Sequence, residues 1–119
     1  MKTTILSVGS NLDDLEFLSQ QLVKEGYETI SAASLEELDR FIEEDNSAAL
    51  ALVDLTGFDQ RIWERCEALH TAKIPFIVIS PQRSPLTQKD SMKYAASGLL
   101  IKPLCIRDLL EYIHTLLGE

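Results

Sequence analysis

No stretch of this chain stays apolar for anything near the roughly 20 residues that a membrane span needs, so no membrane partner is expected. Clusters of Lys and Arg are missing as well. Lys24, Lys73, Lys89, Lys93, Arg61, Arg65 and Arg107 are scattered along the sequence. With 11 basic against 19 acidic residues the net charge is −8. Such a chain repels nucleic acid unless it gathers a basic patch, so no nucleic-acid partner is expected, and the acidity reads as solubility. Cysteine is scarce: Cys66 and Cys105 lie far apart and form no CxxC pair. They read as two buried small hydrophobes rather than a disulfide or a metal site. His70 and His114 have no partner at metal spacing, and both fall near helix C-termini, where a cation suits the dipole. The N-terminus lacks the apolar region and cleavage site of a signal peptide, so a cytoplasmic protein is expected.

What is present reads as one globular domain over residues 1–119. The composition is 45% apolar and 25% charged, which argues against disorder. Residues 3–8 are mostly apolar and β-branched and read as a strand. Asn11 then caps a helix whose first turn holds Asp13 and Asp14 at the positive end of the dipole. Leu15, Leu18 and Leu22 follow at helical spacing, and Gly26 ends the helix. Tyr27 to Ser31 alternates as a half-exposed strand does. Ser34 and Glu37 form a capping box ahead of a helix that buries Leu35, Leu38, Phe41 and Ile42.

Residues 48–53 are continuously apolar, as in a central strand covered on both faces, and stop at Asp54. A helix is expected from about Asp59 to Thr71, with Ile62, Cys66 and Leu69 inward. Pro75 opens the strand Phe76-Ile77-Val78-Ile79, which ends at Ser80. A short helix near Leu86 to Ala95 follows, then Gly98 and the strand Leu99-Leu100-Ile101, ending at Lys102-Pro103. The last helix carries Ile106, Leu109, Leu110, Ile113, Leu116 and Leu117. Trp63 and Tyr94 read as helix-face packing rather than exposed anchors.

The pattern is strand then helix, five times. Strands separated by helices are parallel, with right-handed crossovers and helices on both faces. The expectation is an α/β, doubly wound (βα)5 fold with a five-stranded parallel sheet in the flavodoxin-like order 2-1-3-4-5. Ligands of such sheets bind at the carboxyl ends of the strands, where Asp54, Ser80 and Lys102 fall.

The ordered set Gly26-Tyr27-Glu28, Val53-Asp54-Leu55, Ile77-Val78-Ile79-Ser80 and Lys102-Pro103 resembles the receiver domain of response regulators, the CheY-like superfamily, over the full length of the chain. The resemblance implies signal transduction in a two-component phosphorelay: a phosphohistidine passes its phosphoryl group to an aspartate. It places the acceptor at Asp54 and phosphate-contact positions at Ser80, Lys102 and Thr56. It also implies a Mg²⁺ ion held by the acceptor, a backbone carbonyl of the following loop and an acidic pair after the first strand. A transferring phosphoryl group needs such cations and donors more than covalent chemistry.

Four departures qualify that implication. The acidic pair aligns with Gly9 and Ser10, which supply no carboxylate for Mg²⁺. Pro81 follows the switch hydroxyl and has no N–H to offer a phosphate. Leu99 stands where the family has an aromatic switch residue. The loop Leu55-Thr56-Gly57-Phe58-Asp59 lacks the usual proline-glycine. The expectation is therefore a pseudo-receiver: no metal, or Mg²⁺ weakly at Asp54; little or no phosphorylation; no enzymatic activity. It would act through a protein partner such as a histidine kinase or a downstream signalling protein, or as a homodimer. The face of the fourth helix, fifth strand and fifth helix, with Met92, Lys93, Leu99 and Arg107, would carry the contact. One alternative is a working phospho-receiver; another is a flavodoxin-like cofactor binder, for which Gly9-Ser10 supplies only a fragment of a phosphate loop.

Overall fold

The computed structural model describes residues 3–45 and 47–118; Met1, Lys2, Asn46 and Glu119 lie outside the described residues, the two ends of the expected 1–119 domain among them. The five strands are β1 (Thr4–Val8), β2 (Glu28–Ala32), β3 (Leu50–Asp54), β4 (Phe76–Ser80) and β5 (Gly98–Ile101). They alternate with α1 (Leu12–Lys24), α2 (Leu35–Glu44), α3 (Arg61–Thr71), α4 (Pro85–Lys93) and α5 (Ile106–Leu117). All pairings are parallel and the order is β2-β1-β3-β4-β5, as the alternation predicts.

The two-residue period of the strands divides the apolar side chains into two layers. Leu6, Val8, Ala51, Val53, Phe76 and Val78 face Leu38, Phe41, Trp63 and Leu69. Ile5, Leu50, Leu52, Ile77 and Ile79 face Leu22, Leu109 and Ile113 on the other side. β1, β3 and β4 are therefore buried on both faces, which is why their sequences run continuously apolar. The edge strand β2 is half exposed, as its alternation predicts.

The caps form as expected. The Asp14 N–H donates to Asn11 Oδ1 at 3.0 Å, and the Glu37 N–H donates to Ser34 Oγ at 3.1 Å. Glu37 completes its box one residue early, accepting from the Ala33 N–H. Gly26 adopts φ +94°, the left-handed conformation that ends α1 cheaply. Trp63 is buried and stacks on Tyr94, with centroids 5.6 Å apart.

Several expectations need correction. Cys66 is buried, but Cys105 is exposed, because it sits at the N-cap of α5 outside both layers. β3 starts at Leu50, not residue 48. α3 starts at Arg61 because Asp59 Oδ1 accepts the Arg61 N–H in a turn that precedes the helix. α4 ends at Lys93, and Ala95 closes it at φ +65°. That helix is the least anchored of the five: Ser91 is its one buried residue, while Leu86 and Met92 are exposed. Among the described residues, no helix is long and apolar enough to cross a membrane.

Candidate functional site at the carboxyl ends of the strands

The parallel register brings the ends of β1, β3 and β5 together. Val8 pairs with Val53, and the Lys102 N–H donates to the Ser80 carbonyl, extending the ladder past β5. Asp54 is the last residue of β3 and Lys102 the first after β5, so both side chains reach the same rim. They form an ion pair: Lys102 Nζ lies 2.8 Å from Asp54 Oδ2, with both side chains mostly buried. Partial burial strengthens such a pair over a surface one, because less water screens it. The bond from Lys102 to Pro103 is cis.

Thr56 joins the groups. Its N–H donates to Asp54 Oδ1 at 3.0 Å, and its Oγ1 accepts from Lys102 Nζ at 3.2 Å. Its carbonyl accepts from Ser10 Oγ at 2.8 Å. Gly57 makes that approach possible: it has φ +84°, and a Cβ there would collide with the Ser10 side chain. Neither the Ser10–Thr56 bond nor its dependence on Gly57 was legible in the sequence, since it joins residues 46 positions apart. The glycine after Thr56 was the one available signal.

Ser80 does not join this group. Its Oγ donates to the Gln82 carbonyl at 2.6 Å and so closes the turn that leads to α4. Pro81 contributes no N–H in that turn. Gly9 contributes no side chain, and its N–H donates to the Ala32 carbonyl, which leaves it unavailable to a phosphate. The structure thus brings together Ser10, Asp54, Thr56 and Lys102, and sets Gly9 and Ser80 beside them in local bonds. A groove of about 350 Å³ opens beside the pair, between α1 and the start of α5, with Leu15, Phe17, Leu18 and Leu104 in its walls.

These residues do not fit the Mg²⁺ ion that the resemblance implies. That ion requires several oxygen ligands in octahedral geometry. Here Asp54 is the one carboxylate of the group and is already neutralised by an ammonium. The Thr56 carbonyl is occupied by a hydroxyl hydrogen. Among the described residues no three His, Cys, Asp or Glu side chains cluster at metal-binding spacing.

A second feature lies on the far side of β4, where Leu99 packs at the margin of the core. A hollow of about 390 Å³ separates α4 from β5, bordered by Arg83, Gln88, Ser91, Met92 and Leu99. The Ser91 hydroxyl is buried there without a hydrogen-bond partner. Hydrophobic patterning does not reveal it, because a lone serine in a helix looks the same in sequence whether buried or exposed.

A doubly wound sheet with an acid and an ammonium paired at its strand ends defines a class of fold and site, and comparison with solved structures narrows it. The chain is similar to a response regulator receiver domain protein (CheY-like) from Methanospirillum hungatei, at 30% identity and TM-score 0.90, covering 99% of this chain and 95% of that one. It is similar in fold to a two-component response regulator from Clostridium difficile (19% identity, TM-score 0.90, 99% and 98% covered). It also shares its fold with a putative pilus assembly-related protein from Burkholderia pseudomallei (16% identity, TM-score 0.84, 98% and 90% covered). No family model and no curated protein matches the sequence. The chain belongs to the response regulator receiver domains of two-component systems.

Proposed function

We propose that this receiver domain is a pseudo-receiver: a signalling module in the cytoplasm that acts through protein contacts, without metal-dependent phosphorylation at Asp54 and without enzymatic activity. The observation that carries the reading is the closed group at Asp54. Both carboxylate oxygens are engaged, one by Lys102 and one by the Thr56 N–H. No acidic neighbour stands at Gly9 or Ser10 to recruit a cation that would compete with the ammonium.

Its partner is a histidine kinase or a downstream signalling protein, or a second copy of the domain. The face built by α4, β5 and α5 is the contact surface. Support comes from the exposed Met92, the hollow beside Leu99, and the thin anchoring of α4. Exposed apolar side chains beside an underfilled groove are what a partner would cover.

The test is mass spectrometry of the intact protein after incubation with acetyl phosphate and Mg²⁺. The expected result is an unchanged mass. A gain of about 80 Da that disappears in Asp54→Asn would establish the alternative, a working phospho-receiver.

A further inference from the structure

We infer that the hollow between α4 and β5 binds a small organic anion: an apolar body with a carboxylate at one end and a hydrogen-bonding oxygen at the other. The inference goes beyond the protein contact proposed for this face, because it gives the hollow a small-molecule occupant. It does not depend on the state of Asp54.

Three features of the hollow set that chemistry. Its volume of about 390 Å³ suits a small molecule, and such sites are mostly apolar with a few polar groups in fixed places. Met92, Leu99 and Ile101 supply apolar walls. Ser91 supplies the inner polar group: the residue is 4% exposed, and its Oγ is buried with no hydrogen-bond partner. A buried hydroxyl left unbonded is costly, so the hollow favours a ligand that carries an oxygen to that depth.

Arg83 supplies the charge. Among the described residues it is the one charged side chain lining the hollow, and it makes no ion pair. The chain carries −8 overall, yet here it offers a guanidinium to an incoming anion and no carboxylate to repel it. A guanidinium takes a carboxylate through paired N–H donors. Arg83 and Ser91 stand at opposite ends of the hollow. Arg83 precedes the Ser84 N-cap, and from Ser84 to Ser91 the helix rises roughly 10 Å. That separation is why the ligand carries its two oxygen groups at opposite ends. α4 is the wall that yields to admit it, since Ser91 is its one buried residue.

The experiment is an amide ¹H–¹⁵N titration of the full chain with three probes, each to about 10 mM, an order of magnitude above the Kd of about 1 mM expected for a ligand of this size. The probes are 3-(4-hydroxyphenyl)propionate, 3-phenylpropionate and 4-hydroxyphenethylamine. The hydroxylated acid should shift the amides of Gln88, Ser91, Leu99 and Ile101. The acid without the hydroxyl should bind about three- to tenfold more weakly, and the amine should leave these amides in place. Ser91→Ala should abolish the difference between the two acids and leave 3-phenylpropionate binding unchanged. Arg83→Gln should weaken both acids equally, by about threefold, because the guanidinium is exposed. A hollow that only a protein partner fills would respond to none of the probes, and that result overturns the inference. So does an amine that binds as well as the acids, or a difference between the acids that survives in Ser91→Ala. Phosphoryl labelling of Asp54 would overturn the proposed function and leave this inference standing.

Discussion

On the β1–β3–β5 side of the strand-end rim, the N–H, hydroxyl and carbonyl of Thr56 are each bonded, to Asp54, Lys102 and Ser10. On the β4–α4–β5 side, away from that rim, the Ser91 hydroxyl is buried with no partner and a hollow lies beside Leu99. The two regions belong to one sheet and differ in where their unmet interactions lie. At the first, Thr56 and both carboxylate oxygens of Asp54 are satisfied internally. The second leaves apolar surface and a polar group that a partner would have to complete. A receiver that signals through phosphate would place the demand at the first region. On the proposed pseudo-receiver reading, this one places it at the second.

The strongest way to break that comparison is at Gly57. Gly57→Ala should destabilise the fold by about 3 kcal/mol, from the left-handed backbone and the collision with Ser10. In a Ser10→Gly background the cost should fall to about 1 kcal/mol, the backbone part alone. Urea unfolding of the four proteins of the cycle measures both numbers. Equal costs in the two backgrounds would mean that Ser10 does not fill the space above Gly57.

The ion pair comes next. Lys102→Met should lose about 2 kcal/mol in urea unfolding, between the values of surface and fully buried pairs, because it strands a mostly buried carboxylate. The smallest stability effect sharpens the contrast from the other side. Ser91→Ala removes a hydroxyl that bonds to nothing, so it should leave stability within about 0.5 kcal/mol of wild type or raise it. A loss above 1 kcal/mol would show that the Ser91 hydroxyl has a partner after all.

The cysteines give a pH-dependent check on the layers themselves. Burial pushes the Cys66 thiol from 9.0 up to about 12. Folding therefore favours the neutral thiol, and its contribution is full below pH 9 and is lost as pH rises from 9 towards 12. The alkaline fall in stability should be shallower in Cys66→Ala. At neutral pH a thiol reagent should label Cys105 and spare Cys66 until the protein unfolds.

The fold was largely legible because its signals are local or periodic. The doubly buried runs at 50–54 and 76–80, the Asn11 and Ser34 caps and the order of elements follow from hydrophobic patterning. The meeting of Asp54 and Lys102 was legible because both stand at the carboxyl ends of parallel strands. The Ser10–Thr56 bond was not, since a loop-to-loop hydrogen bond leaves no periodic trace. Cys105 was misread for a related reason: a small apolar residue beside a helix start looks the same in sequence whether it turns in or caps the helix. Ser80 was placed at the right strand end, yet its hydroxyl bonds to the Gln82 carbonyl, which only the conformation of the turn decides.

The most direct test of the account is an amide ¹H–¹⁵N correlation spectrum of the full chain, titrated first with Mg²⁺ and then with acetyl phosphate. The account expects the resonances of Ser10, Asp54, Thr56, Ser80 and Leu99 to stay in place through both additions. Shifts that begin at Asp54 and Thr56 and extend to Leu99 would contradict it, because they would show that the closed side of the rim still binds a ligand and passes the change to the open side.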